Sequence, residues 1–154
     1  MSEDKQRFEL PILVDAADID GLGHVNNVTY VRWVQDAAVA HWRAGAPAAE
    51  QARVFWIVLR HEIDYLQPAH LADRIVARTW VGTATRLRFE RHTEILRAED
   101  LAAKEPECVL ARARTLWCPI DAATRKPTAV SAELRSQFSV ASTSRVPGTA
   151  NGPY

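Results

Sequence analysis

The chain has one segment with the period of a long helix, and its other patterned segments have the period of a strand. In the helical segment, residues 27–43, apolar side chains recur at steps of three and four: Val28, Val31, Val34, Ala38, Val39 and Trp42. Asn26 or Asn27 can cap the first turn, and Gly45 followed by Pro47 is a typical stop signal. Because the apolar face is broad, we expect a sheet to wrap around this helix.

The longest strand-like segment is rich in β-branched and aromatic residues, and others alternate with a period of two. The strand-like segments cover residues 8–14, 54–65, 74–81, 86–96 and 109–119, with a turn expected at 82–85. Short connections between consecutive strands predict antiparallel pairing, and Pro11 favours an edge position for the first strand. The helix is the only long element that can cover one face of the sheet. We therefore predict an α+β fold, a curled antiparallel sheet of about five strands wrapped around one long central helix.

The length of 154 residues predicts a single domain. We expect this domain to span residues 1–138, with a short helix beginning near Ser131. Beyond it, Ser, Thr, Gly, Pro and Asn dominate the sequence. This composition predicts a flexible C-terminal tail over residues 139–154.

Charge and cysteine content narrow the range of functions. Lys and Arg total 19, as do Asp and Glu, so the chain lacks the basic excess on which nucleic-acid binding depends. Cys108 and Cys118 are the only cysteines, and no histidine lies at zinc-ligand spacing from them. We expect two buried thiols and no metal site. Because neither a signal peptide nor a membrane-spanning apolar run is visible, we expect a cytoplasmic protein.

The segment between the first strand and the helix concentrates polar side chains. Residues 18–30 read Asp-Ile-Asp-Gly-Leu-Gly-His-Val-Asn-Asn-Val-Thr-Tyr, with two carboxylates, one histidine, two amides and two glycines. Regular elements hold both ends of this loop, and the start of a helix offers unpaired N–H groups and the positive end of a dipole. The loop is therefore the candidate functional site.

The same loop carries a resemblance to a known family. The pattern is Asp18-x-Asp20-x-x-Gly23-His24-Val25-Asn26-Asn27-x-x-Tyr30-x-x-Trp33, and segments 63–69 and 82–86 support it. Over residues 7 to 137 the chain resembles the hotdog-fold thioesterases. It is most similar to the 4-hydroxybenzoyl-CoA thioesterase-like group of acyl-CoA hydrolases.

The resemblance implies a catalytic carboxylate on Asp18, which either activates water or attacks the thioester carbonyl. His24 either assists or positions the loop. Backbone N–H groups around the start of the helix would hold the oxyanion, and they belong to Gly23, Val25, Asn26 and Asn27. Asp20 is interpreted as a side chain that stabilises the loop.

Other residues are candidates for substrate contact, although an ordinary structural role explains each of them as well. Tyr30 and Trp33 either wall an acyl pocket or belong to the helix core, and His61 either completes a site or is a hydrogen-bonded strand residue. Arg86 and Arg88 either contact coenzyme A phosphates or are surface arginines. The resemblance also implies an acyl-CoA substrate, no bound cofactor, and a homodimer or a homotetramer made of two dimers.

Three alternatives to an acyl-CoA thioesterase remain open. A hotdog dehydratase usually has its histidine five residues after the aspartate, whereas His24 lies six residues after Asp18 and four after Asp20. A non-catalytic module that binds acyl-CoA would bind tightly without turnover. An acyl carrier protein thioesterase would need a basic docking patch, which the balanced charge does not indicate.

Overall fold

The computed structural model describes residues 7–102 and 109–139. Its strands are β1 (Phe8–Leu13), β2 (Val54–Tyr65), β3 (Arg74–Ala84), β4 (Phe89–Arg97) and β5 (Val109–Asp121). Its helices are α1 (Asn27–Gly45), α2 (Ala48–Arg53) and α3 (Ala132–Phe138), with 3-10 turns at Ala16–Asp18 and Ala98–Ala102. Cys108 and residues 140–154 of the predicted tail lie outside the described residues.

The five strands form one antiparallel sheet in the order β1-β3-β4-β5-β2. Helix α1 packs against β1, β3 and β4. The prediction of an α+β fold with a curled sheet around one long helix is thereby confirmed, and this is the hotdog arrangement. Strand β1, which contains Pro11, lies at an edge of the sheet as expected.

The buried face of α1 divides the core into two clusters along the helix. Tyr30 and Trp33 pack at its N-terminal half, together with buried residues of β3, β4 and β5. Ala38 packs at its C-terminal half, where Trp117 of β5 and Phe138 of α3 are also buried. The two ends of one helix therefore have separate surroundings.

The largest differences from the predicted boundaries lie at the β3–β4 connection and after α1. Strand β3 continues through Gly82 to Ala84, because the β3–β4 ladder is irregular between Val81 and Ala84 and absorbs the residues expected to turn. The turn lies at residues 85–88, so Arg86 and Arg88 are turn residues and not strand residues. Helix α2 was not predicted, and since it buries none of its residues it leaves no apolar period in the sequence.

None of the helices in the two described ranges is long and apolar enough to cross a membrane. These ranges also contain no group of three or more His, Cys, Asp or Glu side chains that could hold a metal ion. Cys118 is a buried free thiol, as expected.

Ser139, the first residue of the predicted tail, contacts the sheet, since its Oγ donates to the carbonyl oxygen of Gly82 at 2.7 Å.

Candidate active site

The polar loop is a tight hairpin pinned to the rest of the fold. Ile19 and Val25 form an antiparallel bridge, and the N–H of Asp20 donates to the carbonyl oxygen of His24 at 2.8 Å. At the turn, Gly23 has φ of +78°, a conformation that glycine adopts without a steric penalty. The N–H of Val25 donates to the carbonyl oxygen of Ala69 at 2.9 Å. The loop therefore has a fixed backbone against which side chains can be aimed.

Asp18 is buried, and each oxygen of its carboxylate accepts a hydrogen bond. Oδ1 accepts a 2.7 Å bond from Nη2 of Arg32, and Oδ2 accepts a 3.0 Å bond from the N–H of Asp15. The Asp18 side chain is 5% exposed, whereas that of Arg32 is 55% exposed. Burial raises the pKa of Asp18, but the Arg32 bond, the Asp15 bond and the Arg32 charge together lower it below the usual value. Asp18 therefore fastens the loop to α1 as a carboxylate.

Asp20 has a different environment two residues later. Its Oδ1 accepts from the N–H of Leu22 at 2.9 Å and from that of His24 at 3.4 Å. Within the described part of the chain, Oδ2 makes no hydrogen bond. Asp20 lines a cleft, while Asp18 does not. The two carboxylates of the motif thus have separate positions, one inside the loop and one on the surface of the cleft.

The cleft, which we call the loop cleft, lies between the loop, the start of α1 and the end of β2, and has a volume of about 280 Å³. Its lining comprises Asp20, Leu22, His24, Val25, Asn27, Tyr30, Tyr65, Leu66, Gln67 and Pro68. His24 contacts His70 edge to face at 5.2 Å between ring centroids. One carboxylate and one imidazole therefore face a cleft whose walls also include apolar side chains.

The four expected oxyanion donors are not equivalent. Three of their N–H groups are used inside the fold: Gly23 donates to the Asp20 carbonyl at 3.1 Å, Val25 to Ala69, and Asn26 to the Asp18 carbonyl at 2.7 Å. The Asn26 side chain caps α1 by accepting from the N–H of Val28 at 2.9 Å. Among the four, judged on residues 7–102 and 109–139, only the N–H of Asn27 makes no hydrogen bond.

Two tyrosines fix the wall opposite the loop. The hydroxyl of Tyr30 accepts from the N–H of Ala69 at 3.1 Å, and the hydroxyl of Tyr65 donates to the Asn27 carbonyl at 3.1 Å. The two rings meet edge to face at 5.4 Å. Burial raises the pKa of Tyr30, so its hydroxyl stays protonated. Trp33, in contrast, is 2% exposed in the core and does not line the cleft.

The other predicted contact residues lie away from the loop cleft. On β2, Nδ1 of His61 is 2.9 Å from Oγ1 of Thr115, and burial lowers the pKa of His61. Arg86 and Arg88 occupy the turn before Phe89, which packs with the C-terminal half of α1. Within one chain, these arginines are therefore at the opposite end of the helix from the cleft.

Sequence reasoning missed the cleft position of Asp20 and the contribution of the segment after β2. The sequence interpretation of Asp20 as a side chain that stabilises the loop accounts for its Oδ1, which accepts from the N–H groups of Leu22 and His24, but it did not consider Oδ2. In the structure Arg32, which lies on the exposed face of α1 near its start, bonds to Asp18. The sequence carries no signal that selects Asp18 over Asp20 as its partner.

Comparison with known proteins identifies the family and the fold. A family model described as the thioesterase-like superfamily matches residues 14–138. A 1,4-dihydroxy-2-naphthoyl-CoA thioesterase from Synechocystis superposes with a TM-score of 0.68 at 23% identity, covering 85% of this chain and 94% of that one. A thioesterase from Thermus thermophilus, complexed with coenzyme A and Zn, gives 0.69 at 19% identity, covering 84% and 90%. No curated protein matches the chain. At these identities, the structural likeness establishes the fold alone.

Proposed function

The chain belongs to the thioesterase-like superfamily and is a thioester hydrolase, and we propose that it cleaves an acyl-CoA in the loop cleft. The observation that carries the proposal is the meeting of Asp20, His24 and Asn27 around one cleft at the start of α1. The similar thioesterases named above support a coenzyme A thioester, since one is described as a naphthoyl-CoA thioesterase and another was solved with coenzyme A.

We assign the reacting carboxylate to Asp20, although the family resemblance in the sequence suggested Asp18. Both oxygens of Asp18 already accept hydrogen bonds, and neither faces the cleft. A group that takes a proton or attacks a carbonyl must reach the substrate. Asp20 lines the cleft, and backbone N–H groups hold its Oδ1 in place. Its Oδ2 makes no hydrogen bond within the described residues and is the oxygen that we assign to the reaction.

Asp20 can promote hydrolysis of the thioester by two mechanisms. As a base, Asp20 takes a proton from water while the water oxygen attacks the thioester carbon, the C–S bond breaks, and a proton goes to the coenzyme A thiolate. As a nucleophile, Asp20 displaces the thiolate to form an anhydride, which water hydrolyses. In both, the Asn27 N–H would stabilise the oxyanion at the positive end of α1. We propose that His24 carries the proton to the thiolate, since it lines the same cleft and an imidazole nitrogen can accept or donate a proton.

We also propose that the protein is at least a homodimer formed along β2. This strand is an edge of the sheet, paired only with β5. It presents Phe55, Ile57 and Leu59 at 48%, 46% and 47% exposure. An unpaired edge with a row of exposed apolar side chains favours pairing with a second strand. Tyr65, at the end of β2, lines the loop cleft, so a partner on this edge would sit beside it.

Coenzyme A release from short, medium, long and aromatic acyl-CoAs tests the proposed activity. We expect turnover of at least one substrate, and a fall of about a hundredfold in Asp20→Asn. Asp36→Asn, an exposed aspartate on α1, is the matched control and should leave turnover unchanged. Tight acyl-CoA binding without turnover would instead indicate a non-catalytic module. If the protein hydrolysed only acyl carrier protein thioesters, these would replace acyl-CoA as the proposed substrate.

Light scattering on a size-exclusion column tests the dimer. We expect the wild-type chain to elute with twice its monomer mass, and Ile57→Lys to shift it toward the monomer, because a charge on the paired edge opposes association. Arg60→Lys, on the same strand, should not change the mass. A wild-type monomer would refute pairing along β2. The cytoplasmic location stays a prediction from the sequence.

A further inference from the structure

A second cavity lies at the C-terminal half of α1. It has a volume of about 70 Å³. Its walls include Trp42 of α1, Trp56 of β2, Phe89 and Arg91 of β4, Trp117 of β5 and Phe138 of α3. It shares no lining residue with the loop cleft. We call it the Arg91 cavity.

In the described part of the chain, Arg91 is a buried cation without a buried anion beside it. It is 6% exposed, and its Nη1 donates to Nδ1 of His41 at 2.9 Å and to Oγ1 of Thr79 at 3.2 Å. Neither acceptor carries a negative charge. Across the described residues, no carboxylate forms an ion pair with Arg91, and its neighbour Glu90 instead pairs with Arg114. A buried charge without a counter-charge destabilises the folded state unless another group compensates it.

The protonation states agree with this geometry. Since the guanidinium can only donate, Nδ1 of His41 must accept and the ring must be neutral. Burial first, and then the charge of Arg91, lower the pKa of His41 to about 3. Burial lowers the pKa of Arg91 to about 10, which still leaves it protonated at neutral pH. The positive charge in the cavity wall is therefore permanent under ordinary conditions.

Two indole groups of the same wall also have unused donors. Trp117 is 7% exposed, and its Nε1 is buried without a hydrogen-bond partner in the described part of the protein. The Nε1 of Trp56 is in the same situation. Buried donors are normally paired, so two unpaired ones on residues that line one cavity need an explanation. Arg91, Trp56 and Trp117 all donate and none of them accepts, so the complementary group is an acceptor with negative charge.

We propose that the Arg91 cavity is a second binding site, whose ligand is a small apolar carboxylate. Its carboxylate would accept from Arg91 and the two indole N–H groups, and its body would lie against the aromatic rings of Trp42, Phe89 and Phe138. Water could accept from the indoles, but it would not neutralise Arg91. The volume limits the buried part of the ligand to about a ring or a short chain. This proposal does not depend on the activity proposed for the loop cleft.

Indole N–H signals in a proton–nitrogen correlation spectrum test the proposal directly. The probe is benzoate, with benzyl alcohol as the neutral control of nearly the same shape. We expect benzoate to shift the signals of Trp56 and Trp117 in a saturable way and to leave those of Trp33 and Trp80, which do not line the cavity, in place. Benzyl alcohol should bind at least tenfold more weakly, because it lacks the charge that Arg91 requires.

Substitutions separate this site from the loop cleft. Arg91→Met should weaken benzoate binding at least tenfold, and Trp117→Phe should weaken it severalfold while keeping the ring. Arg112→Met removes an exposed arginine of β5 and serves as the matched control, with unchanged affinity. Asp20→Asn should also bind benzoate normally, whatever it does to turnover. If Arg91→Met does not fold, Trp117→Phe alone carries the test.

Three results would overturn the proposal. The first is the absence of any benzoate-dependent shift at Trp56 and Trp117. The second is equal binding of benzoate and benzyl alcohol. The third is wild-type benzoate affinity in folded Arg91→Met or in Trp117→Phe, which would mean that benzoate binds elsewhere and that ordered water fills the cavity.

Discussion

Asp18 and Arg91 are both buried charged residues, one near each end of α1, but among residues 7–102 and 109–139 only Asp18 has a counter-charge. The carboxylate of Asp18 accepts from Arg32 and from a backbone N–H, and so belongs to the framework of the loop. Arg91 donates to two neutral groups and borders a cavity with two more unused donors. The comparison indicates that the partners of a buried charged side chain, more than its residue type, distinguish a structural role from the ligand-binding role that we propose for Arg91.

The largest stability effect should come from Asp18, because its bonds hold the loop. We expect Asp18→Ala to lower the free energy of unfolding by about 3 kcal/mol, as it removes a charged hydrogen bond and leaves the N–H of Asp15 without its partner. Denaturant titration measures this, with Asp36→Ala as the exposed control. A loss below about 0.5 kcal/mol would contradict the structural role.

The same variant has a pH signature. The pKa of Asp18 is lowered in the folded state, so its contribution to stability is complete above the unfolded pKa, about 3.9, and disappears as the pH falls through the folded value. The stability difference between wild type and Asp18→Ala should therefore shrink below about pH 4. A difference that stays constant down to pH 2 would mean that the carboxylate charge contributes nothing.

The Arg91 end should respond to acid at a higher pH. The pKa of His41 is about 3 in the folded state, against about 6.5 when unfolded, so the unfolded chain binds the proton first as the pH falls. Stability is therefore lost below about pH 6.5, by about 2 kcal/mol at pH 5. His41→Gln keeps an acceptor for Arg91 and should remove this loss. Urea titrations of both proteins at pH 7 and pH 5 provide the comparison, and parallel losses would refute it.

Tyr30 tests the wall of the loop cleft. Tyr30→Phe keeps the ring but leaves the N–H of Ala69 buried without an acceptor, which should cost about 1.5 kcal/mol. Tyr65→Phe is the matched variant, and since Tyr65 is 47% exposed, water can replace its hydroxyl at a cost below about 0.5 kcal/mol. Thermal unfolding of the pair should therefore separate them, and equal midpoints would contradict the structural role of the Tyr30 hydroxyl.

The smallest expected effect concerns the backbone of the loop. A Cβ at Gly21 or at Gly23 would meet no atom within 4 Å, but only Gly23 has a positive φ. Gly23→Ala should therefore cost about 1 kcal/mol through conformation alone, whereas Gly21→Ala should be neutral or slightly stabilising. Equal effects on the unfolding midpoint would show that the turn relaxes freely.

The sequence predicts the fold well because apolar periods report which face of an element is buried. Helix α1 and strand β2 begin where their patterns begin, and Ser131 caps α3 through a 3.2 Å bond to the N–H of Leu134. The end of β3 was mistaken because Gly82 and Thr83 resemble a turn, whereas ladder irregularity accommodates them. Local composition does not reveal such pairing between strands.

The site is harder to predict than the fold, because the role of each side chain depends on which of its atoms already make hydrogen bonds within the protein. The sequence alone does not separate Asp18, whose oxygens accept from Arg32 and from the N–H of Asp15, from Asp20. The Oδ1 of Asp20 accepts from backbone N–H groups of its own turn, and Asp20 lines the cleft. The sequence indicates the burial of Arg91 more clearly, since in the alternating pattern Arg91 falls on the same face as Phe89, Thr93 and Ile95. A charged residue in register with apolar ones predicts burial, but its partners become visible only in three dimensions.

The measurement that tests the central claim most directly is the coenzyme A release rate of Asp18→Asn and Asp20→Asn, each at saturating substrate and at a temperature where both are folded. We expect kcat to fall about a hundredfold in Asp20→Asn with an unchanged unfolding midpoint, because the reacting group is lost and the framework is kept. Asp18→Asn should lower the midpoint and keep kcat within about tenfold of wild type. The reverse pattern, with Asp20→Asn active and a folded Asp18→Asn inactive, would contradict the account and return catalysis to Asp18.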